Sequence, residues 1–326
     1  MNVDTVNLGR HGLKVSRLCL GTMVFGSQND EKASFAVLDE AEALGFNFLD
    51  LADVYPVPPS LETAGSTEEI VGRWLKGRRQ RFVLATKFVN PMGPGANDQG
   101  SSRKHMIEAC EASLRRLGTD RIDIYYAHRW DESSPLDETM EAFDRLHQDG
   151  KILYLGVSNY SAWQLGLAQA IVAERRLAPI AALQPRYNLL FRQPERDLLP
   201  FAKTLGIGVM PYNPLGAGML TGKYRRGMEP PPESRFGWGD YGRMYQGRYW
   251  SEEMFSLVDA LVTVAEAESM TAAQASLAWI LTHDAITAPI VGASRPEQLR
   301  DSVQALEKKL SPEGLERLDE ASKSYL

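Results

Sequence analysis

The sequence predicts an α/β fold of one kind, a (β/α)8 TIM barrel forming a single domain over residues 1–326, and three observations lead to it. Eight short apolar runs recur along the chain, each followed by a turn and an amphipathic segment. Strands apolar on both faces that alternate with helices belong to a parallel sheet covered by helices. No GxGxxG follows the first run, so an open doubly wound sheet would lack its phosphate loop. The length of 326 residues accommodates one barrel of roughly 250 residues with insertions.

In chain order, segments 6–8 and 13–15, around Arg10-His11-Gly12, read as a β-hairpin plugging the N-terminal mouth of the barrel. The strands are expected at 17–20, 46–50, 82–86, 122–127, 153–157, 180–183, 207–210 and 288–291. Between them lies a helical pattern at 31–44, with Phe35, Leu38 and Ala41 on one face. Another opens at Ser66-Thr67-Glu68-Glu69, a capping-box spacing ahead of Ile70, Val71, Trp74 and Leu75. Further helices are expected at 103–117, 136–148, 162–175, 196–205, 252–268 and 296–306. Two stretches break the spacing, 56–65 after the second strand and 224–250 after the seventh. The latter carries Phe236, Trp238, Tyr241, Tyr245, Tyr249 and Trp250; so many aromatics argue against disorder and for a long lid loop.

Composition excludes several classes. The chain is 24% charged and 44% hydrophobic, which fits a globular core. Its net charge of −6 argues against nucleic-acid binding, which calls for a basic face. No apolar run approaches the ~18 residues of a membrane span. The start, MNVDTVNLGRHG, lacks the charged and apolar regions of a signal peptide, so a cytoplasmic location is expected. Cys19 and Cys110 lack metal or redox spacing and read as buried, reduced thiols.

In such a barrel, chemistry gathers where the strands end. Those positions here are Gly21-Thr22, Asp50, Lys87, His128, Ser158-Asn159, Gln184, Tyr212 and Gly292-Ala293-Ser294. Each has a plain structural explanation. Asp50 could be a cap or an ion-pair partner, Lys87 a snorkelling surface residue, His128 a hydrogen-bonded core histidine, and Tyr55 and Tyr212 ordinary packing. Their coincidence weighs against accident: three titratable residues close three different apolar strands at one mouth, and an unpaired buried charge costs several kcal/mol.

These residues resemble the aldo-keto reductase superfamily. Asp50-Leu51-Ala52-Asp53-Val54-Tyr55, Ala85-Thr86-Lys87 and His128-Arg129 are similar to its Asp-Tyr-Lys-His tetrad. The resemblance implies that Ser158, Asn159 and Gln184 hold the nicotinamide carboxamide and that Tyr212 stacks on its ring. Tyr212 opens a segment with Pro214, Leu215, Gly216 and Gly218 that, with Gly21, Thr22 and Met23, is implied to line the cofactor. Gly292 and Ser294, followed by Gln298, Asp301 and Ser302, resemble the segment at the adenosine phosphate end. The loop with Lys223 and Ser234-Arg235 is similar to the branch of voltage-gated potassium channel β-subunits and many bacterial reductases. There, residues matching Lys223, Arg235 and Ser294 surround a 2′-phosphate, which implies NADPH, and cations are natural partners of that phosphate.

Three departures stand out: Leu51 where threonine is frequent, Pro185-Arg186 after Gln184, and Ser302 where an asparagine commonly contacts adenine. None touches the tetrad, and His128 is kept where channel β-subunits often carry asparagine. The resemblance implies reduction of an aldehyde or ketone: hydride from nicotinamide, proton from Tyr55, Lys87 lowering the phenol's pKa, Asp50 holding Lys87 and His128 orienting the carbonyl. No metal is required, and no His/Cys cluster has ligand spacing. Phe25, Trp130 and the lid aromatics are candidates to line the substrate pocket. The expected partner is a small carbonyl compound, with monomer and homo-oligomer both open. Two other readings stand beside this one: an NADPH-binding sensor or regulatory subunit with slow turnover, and a Schiff-base lyase using Lys87.

Overall fold

A computed structural model describes residues 2–326. Strands β1 (Thr5–Asn7) and β2 (Lys14–Ser16) pair antiparallel, with Val6 opposite Val15. Eight parallel strands follow in chain order: β3 (Cys19–Gly21), β4 (Phe48–Asp50), β5 (Val83–Phe88), β6 (Ile122–Ala127), β7 (Ile152–Ser158), β8 (Ile180–Gln184), β9 (Gly208–Val209) and β10 (Ile290–Gly292). The last pairs with the first, Ile290 opposite Cys19. The ring is completed between β9 and the approach to β10 by a Val209–Ile286 bridge and by Thr287 N–H donating to the Val209 carbonyl at 2.8 Å.

Two strands are shorter than their apolar runs suggest, each for a local reason. The 207–210 run forms only Gly208–Val209 because the hairpin loop sits on it: Arg10 N–H donates to the Gly206 carbonyl, and a Cβ on Gly208 would lie 2.6 Å from Leu8. The 288–291 run pairs only from Ile290 because Pro289 has no N–H for the ladder, though its carbonyl accepts from Cys19.

The helices are α1 (Glu31–Ala43), α2 (Ser66–Trp74), α3 (Arg103–Leu117), α4 (Leu136–Gln148), α5 (Ala162–Arg175), α6 (Leu198–Leu205), α7 (Gly239–Tyr249), α8 (Glu252–Ala267), α9 (Ala272–Leu281), α10 (Pro296–Gln304) and α11 (Pro312–Ala321). The expected box at Ser66 is not formed. Gly65 is the cap residue, in the left-handed region, and the Ser66 hydroxyl donates back to the Thr63 carbonyl. Helix α9 escaped the periodicity reading because nearly all of it is buried, which leaves no polar face to mark a stripe. It begins with a reciprocal cap between Thr271 and Gln274. Segment 224–250 is likewise more than a loop, since α7 occupies eleven of its residues.

The apolar core has two layers. The inner one fills the barrel with Cys19, Phe48, Ala85, Ile124, Tyr126, Ala182, Met210 and Ile290, and Leu8 and Val15 of the hairpin close it from below. The outer layer lies between sheet and helices, with Leu49, Leu84, Tyr125 and Leu183 facing outward. Both cysteines are free thiols and buried. Among the described residues, no helix is long and apolar enough to cross a membrane.

Candidate active site

Side chains alternate across a strand, so a residue two positions beyond an inward-facing one also faces the barrel axis. Counting two onward from the inner layer, Cys19 leads to Gly21, Phe48 to Asp50, Ala85 to Lys87, Tyr126 to His128, Ala182 to Gln184, Met210 to Tyr212 and Ile290 to Gly292. One parity therefore delivers a strand-end position from seven of the eight strands to the same C-terminal mouth, beside or beneath a cavity of about 1510 Å³.

Lys87 is fully buried under that cavity. Its Nζ donates to Asp50 Oδ2 at 2.7 Å and to the Leu51 carbonyl at 2.6 Å. The other carboxylate oxygen, Oδ1, accepts from Gln184 Nε2 at 2.8 Å, so Asp50 is held from both sides. Such an arrangement answers the desolvation problem of a buried ion pair, since the charges are both paired and hydrogen-bonded. The Tyr55 ring lies over Lys87, 5.0 Å from Nζ to centroid, and meets the His128 ring edge-on at 6.0 Å. Asp50, Tyr55, Lys87 and His128 are thus brought together.

Burial pushes the Tyr55 phenol well above its usual pKa, Asp50 and the phenols of Tyr241 and Tyr245 push the same way, and Arg235 opposes them. Lys87 has committed two donors to Asp50 and Leu51, and its ammonium still lies against the Tyr55 ring. Tyr55 is consequently a neutral phenol at physiological pH, with its proton in place. His128 shifts the other way: burial, then Lys87, then Arg129 hold it well below the ordinary imidazole value.

A second network lines the adjoining wall. Ser158 Oγ donates to the Gln184 carbonyl at 2.8 Å. Asn159 takes a left-handed backbone (φ 57°), which asparagine tolerates. Its Nδ2 donates to the His128 carbonyl at 2.9 Å and its Oδ1 accepts from Tyr212 OH at 2.8 Å. Thr22 Oγ1 donates to the Asp50 carbonyl. Gly21, Met23, Pro214, Leu215 and Gly218 line the same cavity, whereas Gly216 is buried just behind it.

At the far end, a cradle forms against α10. A Cβ on Gly292 would lie 3.5 Å from an Arg235 guanidinium nitrogen, and one on Gly218 the same distance from Lys223 Cε. Ser294 N–H donates to Gln298 Oε1 at 2.8 Å. Ser302 Oγ donates to the Gln298 carbonyl, and Asp301 accepts from Gln274 Nε2. Two cations, side-chain-free glycines and a nine-residue helix N-terminus suit a phosphorylated ligand. A cavity of this volume holds a dinucleotide with room for a small substrate beside it. The residues present therefore fit a nicotinamide dinucleotide.

Phe25 and Trp130 are corrected. Phe25 is wholly buried in the outer core, and Trp130 packs edge-on against Tyr160 and Trp163; neither lines the cavity. The lid aromatics divide. Trp238, Tyr241 and Tyr245 line the cavity, while Phe236 and Trp250 pack on Tyr224 to anchor the segment and Tyr249 OH accepts from Asn213. Asn90, Arg129 and Arg248 also line it; of these the sequence pointed only to Arg129, as the neighbour of His128, and assigned it no role. Asn90 had one visible signal, a polar residue just past a strand end and before proline.

The model of the aldo/keto reductase family matches residues 17–323. The chain is 39% identical over 320 residues to the uncharacterized oxidoreductase YrpG of Bacillus subtilis (strain 168), covering 96% of this chain and 94% of that one. It is 36% identical over 325 residues to a probable voltage-gated potassium channel subunit beta of Arabidopsis thaliana, covering 98% and 96%. To the L-glyceraldehyde 3-phosphate reductase of Escherichia coli (strain K12) it is 36% identical over 305 residues, covering 91% and 86%.

Proposed function

The chain belongs to the aldo/keto reductase family, and from that premise we propose that it reduces a small aldehyde or ketone to an alcohol with NADPH. The observation that carries the reading is the convergence of Tyr55, Lys87, Asp50 and His128 at the floor of one dinucleotide-sized cavity. NADPH, when bound, supplies the hydride that the carbonyl carbon requires.

The chain's own residues do the rest. Ser158, Asn159 and Gln184 present amide and hydroxyl groups where the nicotinamide carboxamide would lie, and Tyr212 offers a ring face beside them. Lys223, Arg235 and Ser294 would hold the 2′-phosphate end, and cations there would favour NADPH over NADH. The neutral Tyr55 phenol donates its proton to the carbonyl oxygen as negative charge develops there. Lys87 then steadies the phenolate left behind, and Asp50 with Gln184 keeps the ammonium in position. His128, neutral and at the ring edge of Tyr55, orients the carbonyl oxygen by a hydrogen bond. Trp238, Tyr241 and Tyr245 shield the reaction from water.

The test is Tyr55→Phe, assayed for NADPH oxidation across aryl and aliphatic aldehydes, ketones and keto-sugars, with NADH as comparator. Turnover should fall by about 10²–10⁴-fold while NADPH still quenches intrinsic fluorescence. Wild-type turnover in the variant overturns the assignment. Negligible turnover of every carbonyl by the unmodified protein, despite NADPH binding, favours a sensor.

A further inference from the structure

Asn90 stands on the loop after β5, three residues beyond Lys87, and its amide nitrogen Nδ2 lies 2.8 Å from His128 Nδ1. An amide can turn either its oxygen or its NH2 group to a neighbour, and here a second contact decides which. Arg129 Nε donates to Asn90 Oδ1 at 3.3 Å. A guanidinium has donors only, so the oxygen faces Arg129 and the NH2 faces His128. Nδ1 must then accept. The charged or hydroxyl groups facing this ring are Lys87 from β5, Tyr55 from the loop after β4 and Arg129 beside it. None is an anion that would favour imidazolium, so the ring is neutral and carries its single proton on Nε2.

The backbone independently supports a fixed placement for Asn90. Val89, just before it, has φ 108°, a region that β-branched residues avoid. The turn is tied down by Gly100 N–H donating to the Val89 carbonyl at 2.8 Å. Pro91, just after it, restricts Asn90 to extended conformations. Strain on one side and restriction on the other hold a half-buried amide against one histidine nitrogen.

We propose that Asn90, oriented by Arg129, is a positioning residue that locks His128 in its Nε2–H tautomer, so that the histidine meets the substrate oxygen as a donor. The donor role rests on the carbonyl-reductase reading above; the tautomer itself does not.

The test is nitrogen NMR on the full-length protein labelled with [15N]histidine, with His128 assigned among the five histidines by loss of its signals in His128→Gln. Nε2 of His128 should appear protonated and Nδ1 bare, with no titration between about pH 6 and 8. A proton on Nδ1 overturns the proposal. In Asn90→Asp the carboxylate can only accept, so the proton should move to Nδ1 and the ring should titrate at higher pH than in the unmodified protein. An unchanged tautomer and titration in a folded Asn90→Asp overturns it as well. Should that variant not fold, the spectrum of the unmodified protein decides alone. With 4-nitrobenzaldehyde as probe, kcat of Asn90→Asp should drop about tenfold at pH 8 with NADPH affinity retained. Full turnover by Tyr55→Phe would defeat the reductase reading and leave the tautomer assignment standing. An inactive Tyr55→Phe beside a wrong tautomer would defeat only the assignment of Asn90.

Discussion

Lys87 and Asp50 set the terms at the scale of single residues, because each is tolerable in the interior only through the other. Lys87→Met would leave the Asp50 carboxylate buried with Gln184 as its remaining side-chain donor. Breaking a buried pair from one side costs about 3–5 kcal/mol, which a urea denaturation midpoint would register. Adding Asp50→Asn in the same chain should recover most of that loss. The titrations of His128 and Tyr55 bracket a pH window. His128 has a folded pKa below its ordinary 6.5, so the unfolded chain binds the extra proton as pH falls beneath 6.5, and stability is lost in that direction. Tyr55 has a folded pKa above its ordinary 10, so the unfolded chain ionises first and stability is lost as pH rises past 10. These two groups together predict a stability plateau between those values, checked by denaturation at pH 5.5, 8 and 10.5. A midpoint that rises on acidification through 6.5 would contradict the neutral His128.

Among the elements, the segment after β9 shows how packing turns a stretch expected as a loop into a helix-bearing wall of the cavity. Phe236 is wholly buried and meets Tyr224 and Trp250 at ring-centroid distances of 5.2 and 4.8 Å. That cluster docks α7 over the cavity and holds Arg235 at the Gly292 cradle. Phe236→Ala should weaken the docking by about 3–5 kcal/mol. Limited proteolysis should then cut within 224–250 far faster, and NADPH affinity should fall while the global denaturation midpoint shifts little. Equal protease resistance would mean that the segment is held by other contacts. The content of α7 was not legible from local pattern: its Gly- and Arg-rich sequence has weak helical propensity, and only contact with the barrel stabilises it.

Over the whole molecule, closure of the barrel depends on its weakest seam. β9 is two residues long, and its join to β10 runs through an irregular stretch. Arg17, ahead of β3, reinforces that region by donating to the Thr287 carbonyl at 2.6 Å and to the Ile286 carbonyl at 2.5 Å. Burial depresses its pKa, the mark of a guanidinium drawn out of water to serve buried carbonyls. Arg17→Met should destabilise the protein by roughly 3 kcal/mol, since hydrogen bonds to charged groups contribute about 1.5–3 kcal/mol each and the carbonyls would lose their partner. Denaturant midpoint and hydrogen exchange at β9 and β10 would measure it; protection loss confined elsewhere would sink the account.

Eight strands and the ends that face the cavity are legible in the residue order alone, because side-chain alternation is local. Once Ala85 and Tyr126 are inside the barrel, Lys87 and His128 must face its axis too. The segments proposed for the phosphate end were legible only through the family resemblance, since Lys223 and Arg235 taken alone read as ordinary soluble loop residues. The burial of Phe25, the packing of Trp130 on Tyr160, the raised Tyr55 phenol and the contacts of Asn90 with His128 and Arg129 emerge only once the chain is folded. Each of these depends on side chains from separate loops meeting in space, and no periodicity within one segment records which loops will meet.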